Sequence, residues 1–319
     1  MHPVGTIREL WRYPVKSMGG ERLEAADVVG HGVVGDRQWA VRDEEKAVIA
    51  GAKRIPGLLL CTARFVEAPT AEGPPAQVAI RLPDGSEVSS DDPDVHRRLS
   101  AAAGRTVTLC GPRPASDGDH YRTPKPTAAE MREFFAVESG EELPDFSMLP
   151  ASLLAELYQY ATPRGTYYDA YTLHILTSAS LAAIAATTGG ADLDVRRFRP
   201  NIVVETVASG LVEVDWCGGT LRAGGLHARV HIPTVRCAMP TRPQPGLRAD
   251  PSVLKAISEH AGRCLGVYAT PSQPGRVCVG DPVEVELPEA TVVGRWFKAG
   301  ATSLKRLALR AAAATLREE

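Results

Sequence analysis

Residues 231–246 read HIPTVRCAMPTRPQPG, and this stretch contains a single thiol, Cys237, directly after Arg236. Apolar and polar residues alternate upstream of it, over residues 226–232, which predicts a half-buried strand. A loop is predicted downstream, because three prolines, which cannot donate to a β-ladder, fall within residues 240–245. We therefore expect Cys237 where a strand gives way to a rigid loop, a position that presents a side chain at a fixed angle.

The composition around this stretch is that of an ordinary globular protein. The 319 residues suffice for two domains or one large one, and 44% hydrophobic with 23% charged residues predicts a sizeable core. The net charge of −2 gives no global basic field, so no nucleic-acid partner is expected and any anion site must be local. No apolar run approaches the roughly 20 residues of a membrane span, so none is predicted, and residues 1–17 lack the apolar core of a signal peptide.

The cysteine pattern indicates free thiols. Six cysteines are scattered along the chain without a CxxC pair, which argues against a disulfide framework and against a zinc site. Free thiols persist in a reducing compartment, so a cytoplasmic location is expected. The sequence also shows no internal repeat, no GxGxxG and no P-loop.

The amino-terminal third is predicted to be mainly β, and its loops carry candidate anion-binding residues. After a predicted strand at residues 7–13, Lys16 and Ser17 precede two glycines, and such a loop can wrap an anion with side-chain and backbone donors. Arg37 follows Asp36 at the start of a predicted hairpin. It is either half of a surface ion pair or a fork that Asp36 holds towards a phosphate.

Further elements are predicted from turn residues, alternation and helix caps. The predicted strands and hairpins are 38–50, 58–66, 77–89, 106–110, 171–176, 265–269 and 276–287. The predicted helices are 93–103, 128–137, 152–160, one capped by Thr177 and Ser178, one beginning at Asp250, and a basic one at 303–316.

Residues 196–204, RRFRPNIVV, are the second unusual stretch. Three arginines lead into an apolar strand, which is costly unless carboxylates or bound anions pair with them. The spacing leaves both options open, the carboxylates being Asp192 and Asp194. His174, in the preceding predicted strand, is expected to be a hydrogen-bonded core histidine rather than a ligand.

Six motifs, taken together and in order, resemble the MOSC family, the domain shared by molybdenum cofactor sulfurases and the mitochondrial amidoxime-reducing component. They are LWRYPVKSMGGERLEAADV, GVVGDRQWAV, DAYTLHILTSASL, RRFRPNIVV, TVRCAMPT and VGDPVEV, and they extend over nearly the whole chain from residue 7 to about residue 287. The resemblance implies an α+β, mainly β, fold. The implied parts are an amino-terminal MOSC β-barrel domain (1–115), a helical, proline-rich connector (116–165), a MOSC β-barrel domain with peripheral helices (166–290) and a carboxy-terminal basic helix (291–319).

The resemblance also implies that a pyranopterin molybdenum cofactor binds between the two domains. Cys237 matches the cysteine that holds the metal and is the catalytic position, and a thiolate is a soft ligand suited to such a metal. Flanking arginines would favour the ionised thiol. The implied cofactor-binding residues are Lys16, Ser17 and Arg37 for the phosphate, and Arg197, Arg199, Asn201 and Arg236 for further contacts.

The implied activity is reduction of an N-hydroxylated or N-oxide small molecule, with electrons from a separate ferredoxin- or flavin-type donor. Only Cys264 and Cys278 follow Cys237, far apart, so no iron–sulfur domain is built in. Two alternatives remain open: a carrier of the cofactor or of its sulfur, without turnover, and a purely structural Cys237. One departure from many relatives is residues 240–244, PTRPQ, where relatives continue TTVDP, and it leaves the substrate range open.

Overall fold

The computed structural model describes residues 1–189, 191 and 193–288, so the predicted helix at 303–316 lies outside the described residues. The α-helices in these ranges are α1 (Val95–Ala103), α2 (Gly118–Tyr121), α3 (Ala128–Phe135), α4 (Ala151–Gln159), α5 (Ser178–Ala185) and α6 (Pro251–Ala261). The strands in these ranges are β1 (His2–Arg12), β2 (Glu21–Leu23), β3 (Ala25–Val29), β4 (Gly32–Val33), β5 (Ala40–Asp43), β6 (Val48–Ala50), β7 (Thr62–Phe65), β8 (Val78–Arg81), β9 (Glu87–Ser89), β10 (Val107–Cys110), β11 (Leu173–Thr177), β12 (Ile202–Thr206), β13 (Thr220–Ala223), β14 (Leu226–Val235), β15 (Cys264–Gln273), β16 (Gly275–Cys278) and β17 (Pro282–Glu286).

Seven strands close into a barrel in the spatial order β1-β12-β11-β15-β14-β13-β17. Closure depends on β1, which pairs antiparallel with β12, Leu10 opposite Ile202, and with β17, His2 opposite Val285. Alternate residues of these strands fill the barrel with aliphatic side chains, as the period of two dictates. The barrel therefore draws one strand from the predicted amino-terminal domain.

A second core lies within residues 15–109. Two three-stranded sheets, β10-β5-β6 and β7-β8-β9, pack with α1 around buried aliphatic residues such as Val41, Ile80 and Leu99. The predicted hairpin at 38–50 is confirmed as β5 and β6, with Val41 opposite Ala50. The mainly-β class with a β-rich amino-terminal part is thus confirmed.

Two predicted strands differ from the structure. The strand predicted at 58–66 begins only at Thr62, because Pro56 opens a 3₁₀ helix over Pro56–Leu60, where proline fits the first helical position. The strand predicted at 276–287 is divided into β16 and β17. Its break is a turn in which Gly280 has φ 91° and the Asp281 carboxylate accepts the backbone N–H of Cys278 at 2.8 Å.

The connector between the two cores is helical at its centre. A capping box formed by Thr127 and Glu130 begins α3, in which Phe135 is buried. No residue of α4 is buried, although its sequence, ASLLAELYQ, is mostly apolar. Within the described ranges, no helix has the length and apolar character needed to cross a bilayer.

Candidate functional site

The eight residues singled out from the sequence line one cavity of about 1080 Å³. They are Lys16, Ser17, Arg37, Arg197, Arg199, Asn201, Arg236 and Cys237. Lys16, Ser17 and Arg37 come from the amino-terminal part and the others from the barrel and its loops, so the cavity lies between the two cores. The connector helices α3 and α4 supply part of the remaining wall.

Lys16 projects its ammonium group into a buried corner of this cavity. Its Nζ donates to the carbonyl of Tyr167 at 2.9 Å and to Asp169 Oδ1 at 2.7 Å. Burial lowers the pKa of Lys16, against the attraction of Asp169. Desolvation by the cavity wall opposes ionisation of Asp169, whose side chain is still 52% exposed, but Lys16, with Lys53 and Arg37 nearby, holds the pKa of this carboxyl well below its usual range. Lys16 and Asp169 therefore form an ion pair at neutral pH.

Ser17 continues the same loop in a left-handed conformation, with φ 69°. Its Oγ accepts the backbone N–H of Ala52 at 2.9 Å, which ties the loop to the end of β6. The Ser17 hydroxyl proton can still be donated into the cavity. Strained backbone of this kind in a bulky or polar residue concentrates at binding sites.

Arg37 pairs with Asp36 in one of the two arrangements that the sequence left open, a guanidinium group that Asp36 directs. Its guanidinium pairs with the buried Asp36 carboxylate, which also accepts the backbone N–H of Tyr13 at 2.8 Å. The rings of Tyr13 and Tyr168 lie 5.4 and 5.5 Å from the guanidinium carbon. With φ 52°, Arg37 is again left-handed. Asp36 thus fixes the direction of a guanidinium that lines the cavity.

The two arginines at 197 and 199 have different roles, although only Phe198 separates them. Arg197 is 2% exposed and donates to the carbonyls of Pro240 at 3.1 Å and Arg248 at 2.8 Å, so it braces the loop that carries Cys237. Arg199, with φ 56°, donates to the Met18 carbonyl and stacks on Tyr13.

One nitrogen of Arg199 indicates that the cavity can bind an anion. Its Nη2 is buried without a hydrogen-bond partner among the described residues. Burial, reinforced by the positive charge of Arg37, lowers the pKa of Arg199 to about 10, so the side chain is charged at neutral pH. A buried unpaired donor on a cation is costly, and an anion bound in the cavity would remove that cost.

Asn201 and Arg236 shape the floor of the cavity rather than offering free groups to it. The Asn201 side chain accepts from the His174 N–H at 3.1 Å and donates to the Trp11 carbonyl at 3.4 Å, which links β1 to β11. Arg236 donates to the carbonyls of Leu265 and Phe198 at 2.6 to 3.1 Å.

His174 is the remaining partner of Arg236. The Arg236 Nη2 lies 2.6 Å from His174 Nε2, and since arginine only donates, this ring nitrogen accepts. Burial, with the charge of Arg236, lowers the pKa of His174 well below its usual value, so the ring is neutral. The expectation of a hydrogen-bonded core histidine holds, although His174 also lines the cavity.

Cys237 lies where the sequence predicted it, two residues after β14 ends at Val235 and before a 3₁₀ turn over Met239–Thr241. It is half-buried, its thiol is free, and it lines the cavity. The next residue, Ala238, donates its backbone N–H to the Phe134 carbonyl of α3 at 2.9 Å, so the thiol loop is attached to the connector.

The donor set fits a metal–organic anion better than a bare metal ion. Within the described residues no group of three His, Cys, Asp or Glu side chains could hold a metal, so a metal at Cys237 would need its other ligands from a cofactor. Lys16, Arg37 and Arg199 provide positive charge for a phosphate in the same cavity. The cavity therefore fits a group with a soft metal and an anionic tail.

Sequence reasoning missed Asp169, which lines the cavity opposite Lys16. Asp169 begins the motif DAYTLHILTSASL, but no role was predicted for it. A usable signal was the rule that a buried lysine needs an opposite charge, but nothing in the sequence says which of 38 acidic residues supplies it. The aromatic residues Tyr171 and Tyr268, whose rings lie 5.5 Å apart in the cavity wall, were also not singled out individually.

Family models match both the amino-terminal part of the chain and the part that forms most of the barrel. A family model described as MOSC domain matches residues 162–284, and one described as MOSC N-terminal beta barrel domain matches residues 4–106. The chain is 26% identical over 301 residues to mitochondrial amidoxime reducing component 2 of Bos taurus, and 27% identical over 308 residues to the protein of that name from Rattus norvegicus. Each alignment covers 89% of this chain and 84% of the relative. Among solved structures, the YUAD protein from Bacillus subtilis aligns with a TM-score of 0.42 and 13% identity, over 89% of this chain and 97% of that one.

Proposed function

The chain belongs to the MOSC-domain family, and on that premise we propose that it is a molybdenum-cofactor-binding oxidoreductase that reduces N-hydroxylated or N-oxide small molecules. The observation that carries the proposal is that Cys237 and three cationic side chains, Lys16, Arg37 and Arg199, line one cavity from opposite halves of the molecule. The relatives with 26% and 27% identity are named for amidoxime reduction, which supports the reaction class.

In this proposal each residue has a defined task. Lys16, Arg37 and Arg199 bind the phosphate of the cofactor, and the Ser17 hydroxyl donates to it. Cys237 ligates the metal as a thiolate. Arg197, Asn201 and Arg236 keep the Cys237 loop and the cavity floor in place through the hydrogen bonds described above, and so they act as positioning residues.

When bound, the cofactor supplies a centre that exchanges two electrons and an oxygen atom with the substrate. The overall change breaks the N–O bond of the substrate, consumes two electrons and two protons, and releases water. Asp169 is ionised and His174 neutral at neutral pH, so neither supplies the protons in its resting state. The cavity wall excludes bulk solvent from one side of Cys237 and orients the substrate.

The two electrons come, in this proposal, from a separate ferredoxin- or flavin-type protein. The sequence has no cluster of four cysteines that could hold an iron–sulfur centre of its own. The six free thiols are in keeping with a reducing compartment, and the proposal places the protein in the cytoplasm.

The ligand assignment is tested by metal analysis after expression in a host that makes the cofactor. Wild type should carry molybdenum and a fluorescent pterin, Cys237→Ser should lose the molybdenum, and Cys278→Ser, a half-buried thiol on β16, should retain both. Equal molybdenum in wild type and Cys237→Ser would show that Cys237 is structural.

The enzymatic assignment is tested separately from loading. Loaded protein is reduced with dithionite, freed of excess reductant and mixed with benzamidoxime under anaerobic conditions. Formation of one benzamidine per two electrons is the expected result. A loaded, reduced protein that forms no product from benzamidoxime, an N-hydroxyguanidine or an N-oxide would instead support a carrier.

A further inference from the structure

Helix α4 presents apolar side chains that no protein core covers. None of its residues is buried, yet Leu154, Leu157 and Tyr158 all line the cavity, and Tyr158 is 46% exposed. Leaving such side chains against water is unfavourable, and a concave apolar surface of this kind is typical of a ligand site.

Helix α3 and the segment after it extend this surface. Met131, Phe134 and Phe135 of α3 line the cavity, as do Phe146 and Leu149 between the two helices. The ring of Phe146 packs edge-on against Phe135, with centroids 5.2 Å apart. The carbonyl of Phe134 accepts the backbone N–H of Ala238, so the apolar wall is attached directly beside Cys237.

Three rings of this wall lie close to cationic side chains. The Arg54 guanidinium carbon lies 5.1 Å from the Phe134 ring centre, Lys53 Nζ lies 5.4 Å from that of Phe135, and Lys125 Nζ lies 5.2 Å from that of Tyr158. Arg54 in turn pairs with Glu130 at 3.0 Å. These contacts, with the packing of Phe146 on Phe135, restrict the motion of the rings, and such restriction lowers the entropic cost of binding.

We propose that the wall formed by α3, α4 and the segment between them is an apolar subsite that binds the hydrophobic body of the substrate, with the reacting nitrogen directed at Cys237. The occupant is a small molecule rather than a second protein, because the apolar side chains face the same cavity as Cys237. The identity of the reacting group rests on the proposed function; the apolar binding does not. The subsite therefore selects N-hydroxylated compounds with an aryl or alkyl body over small polar ones.

The binding is tested on the cofactor-free protein with the neutral fluorescent dye N-phenyl-1-naphthylamine. Wild type should bind one dye with enhanced fluorescence, and Leu154→Gln/Leu157→Gln should bind at least about tenfold more weakly, since two apolar contacts become polar. Leu153→Gln is the matched control, because Leu153 is half-buried on the same helix but is not among the cavity-lining residues of the described chain. Equal weakening by both changes, or no dye binding by wild type, would overturn the proposal.

The selectivity is tested on the loaded, dithionite-reduced protein with para-alkyl benzamidoximes from methyl to butyl. We expect kcat/KM to rise about threefold per methylene in wild type and in Leu153→Gln, and to be nearly flat in the double variant. Reduction of every member at one rate would refute the subsite and leave the proposed function intact. Dye binding that follows the expected pattern, with no reduction of any member, would refute the proposed function and leave the subsite intact.

Discussion

Replacing Arg199 by asparagine should separate cofactor binding from folding. The backbone of Arg199 is left-handed, with φ 56°, and asparagine is among the residues that accept this conformation. The change removes a buried cation with an unpaired Nη2, together with its hydrogen bond to Met18 and its stacking on Tyr13, whose ring centre lies 4.2 Å away. We therefore expect little change in stability but a large loss of cofactor retention.

The magnitudes follow from these contacts. Relief of the unpaired buried donor gains about 1–3 kcal/mol, and relief of the left-handed strain adds about 1 kcal/mol. Loss of the charged hydrogen bond and of the cation–π contact costs about 2–4 kcal/mol. The free energy of unfolding of the cofactor-free protein should thus change by less than about 2 kcal/mol. Loss of a charge-assisted bond to a phosphate, about 1.5–3 kcal/mol, should weaken retention roughly 10- to 150-fold.

The assay combines urea unfolding of cofactor-free protein with pterin and molybdenum content after exhaustive dialysis. Arg197→Met is the matched control: it leaves at least the carbonyls of Pro240 and Arg248 without their donor, so it should cost about 3 kcal/mol or more. A loss of about 3 kcal/mol in Arg199→Asn, with cofactor content equal to wild type, would mean that Arg199 serves the fold and would refute the reasoning.

Three further predictions concern the cavity floor and its ion pair. Burial and the charge of Arg236 lower the pKa of His174 in the folded protein, so folding favours the neutral ring. The free energy of unfolding should therefore be unaffected by this histidine above about pH 6.5, and below that pH it should fall by up to about 1.4 kcal/mol per pH unit. His174→Gln should flatten this slope in urea unfolding from pH 7 to 5, whereas the exposed His260→Gln should leave it unchanged. Gly266→Ala places a Cβ 2.3 Å from His174 Nε2 at φ 78° and should lower the unfolding free energy by about 2 kcal/mol or more; a wild-type value would contradict the packing. Lys16→Met leaves the Asp169 carboxylate without its 2.7 Å partner and should reduce cofactor content at least about tenfold, while unaltered content would make Lys16 a structural cation.

The sequence predicted those site residues whose local context determines their position. Alternation followed by prolines predicted that Cys237 follows a strand, and the Gly-Asp-Arg sequence allowed the fork of Arg37 on Asp36 that the structure contains. In contrast, Arg197 and Arg199 look equivalent in RRFRPN. The 3₁₀ turn over Val195–Arg197 and the left-handed backbone at Arg199 give them different partners, and neither feature has a signature in the arginine spacing.

Contacts between residues far apart in the chain could not be predicted from the sequence, for a different reason. Asp169 is 153 residues from Lys16, and the two meet only because the barrel and the amino-terminal core share a cavity. The alternation at residues 7–13 predicted a strand but not its neighbours, since a strand pairs with whatever edge the closed fold presents. The late start of the strand predicted at 58–66 has a local cause, however, because Pro56 was visible in the sequence.

The position of β1 determines the order in which the protein can be completed. Strand β1 precedes the other described strands in the chain, yet it is hydrogen-bonded on one side to residues 202–206 and on the other to residues 282–285. The barrel cannot close until nearly the whole described chain has been synthesised, and until then β1 can pair only with β2, through Leu10, Trp11 and Arg12. The core within residues 15–109 contains no late strand, so it can form during translation, before β17 is available to pair with β1.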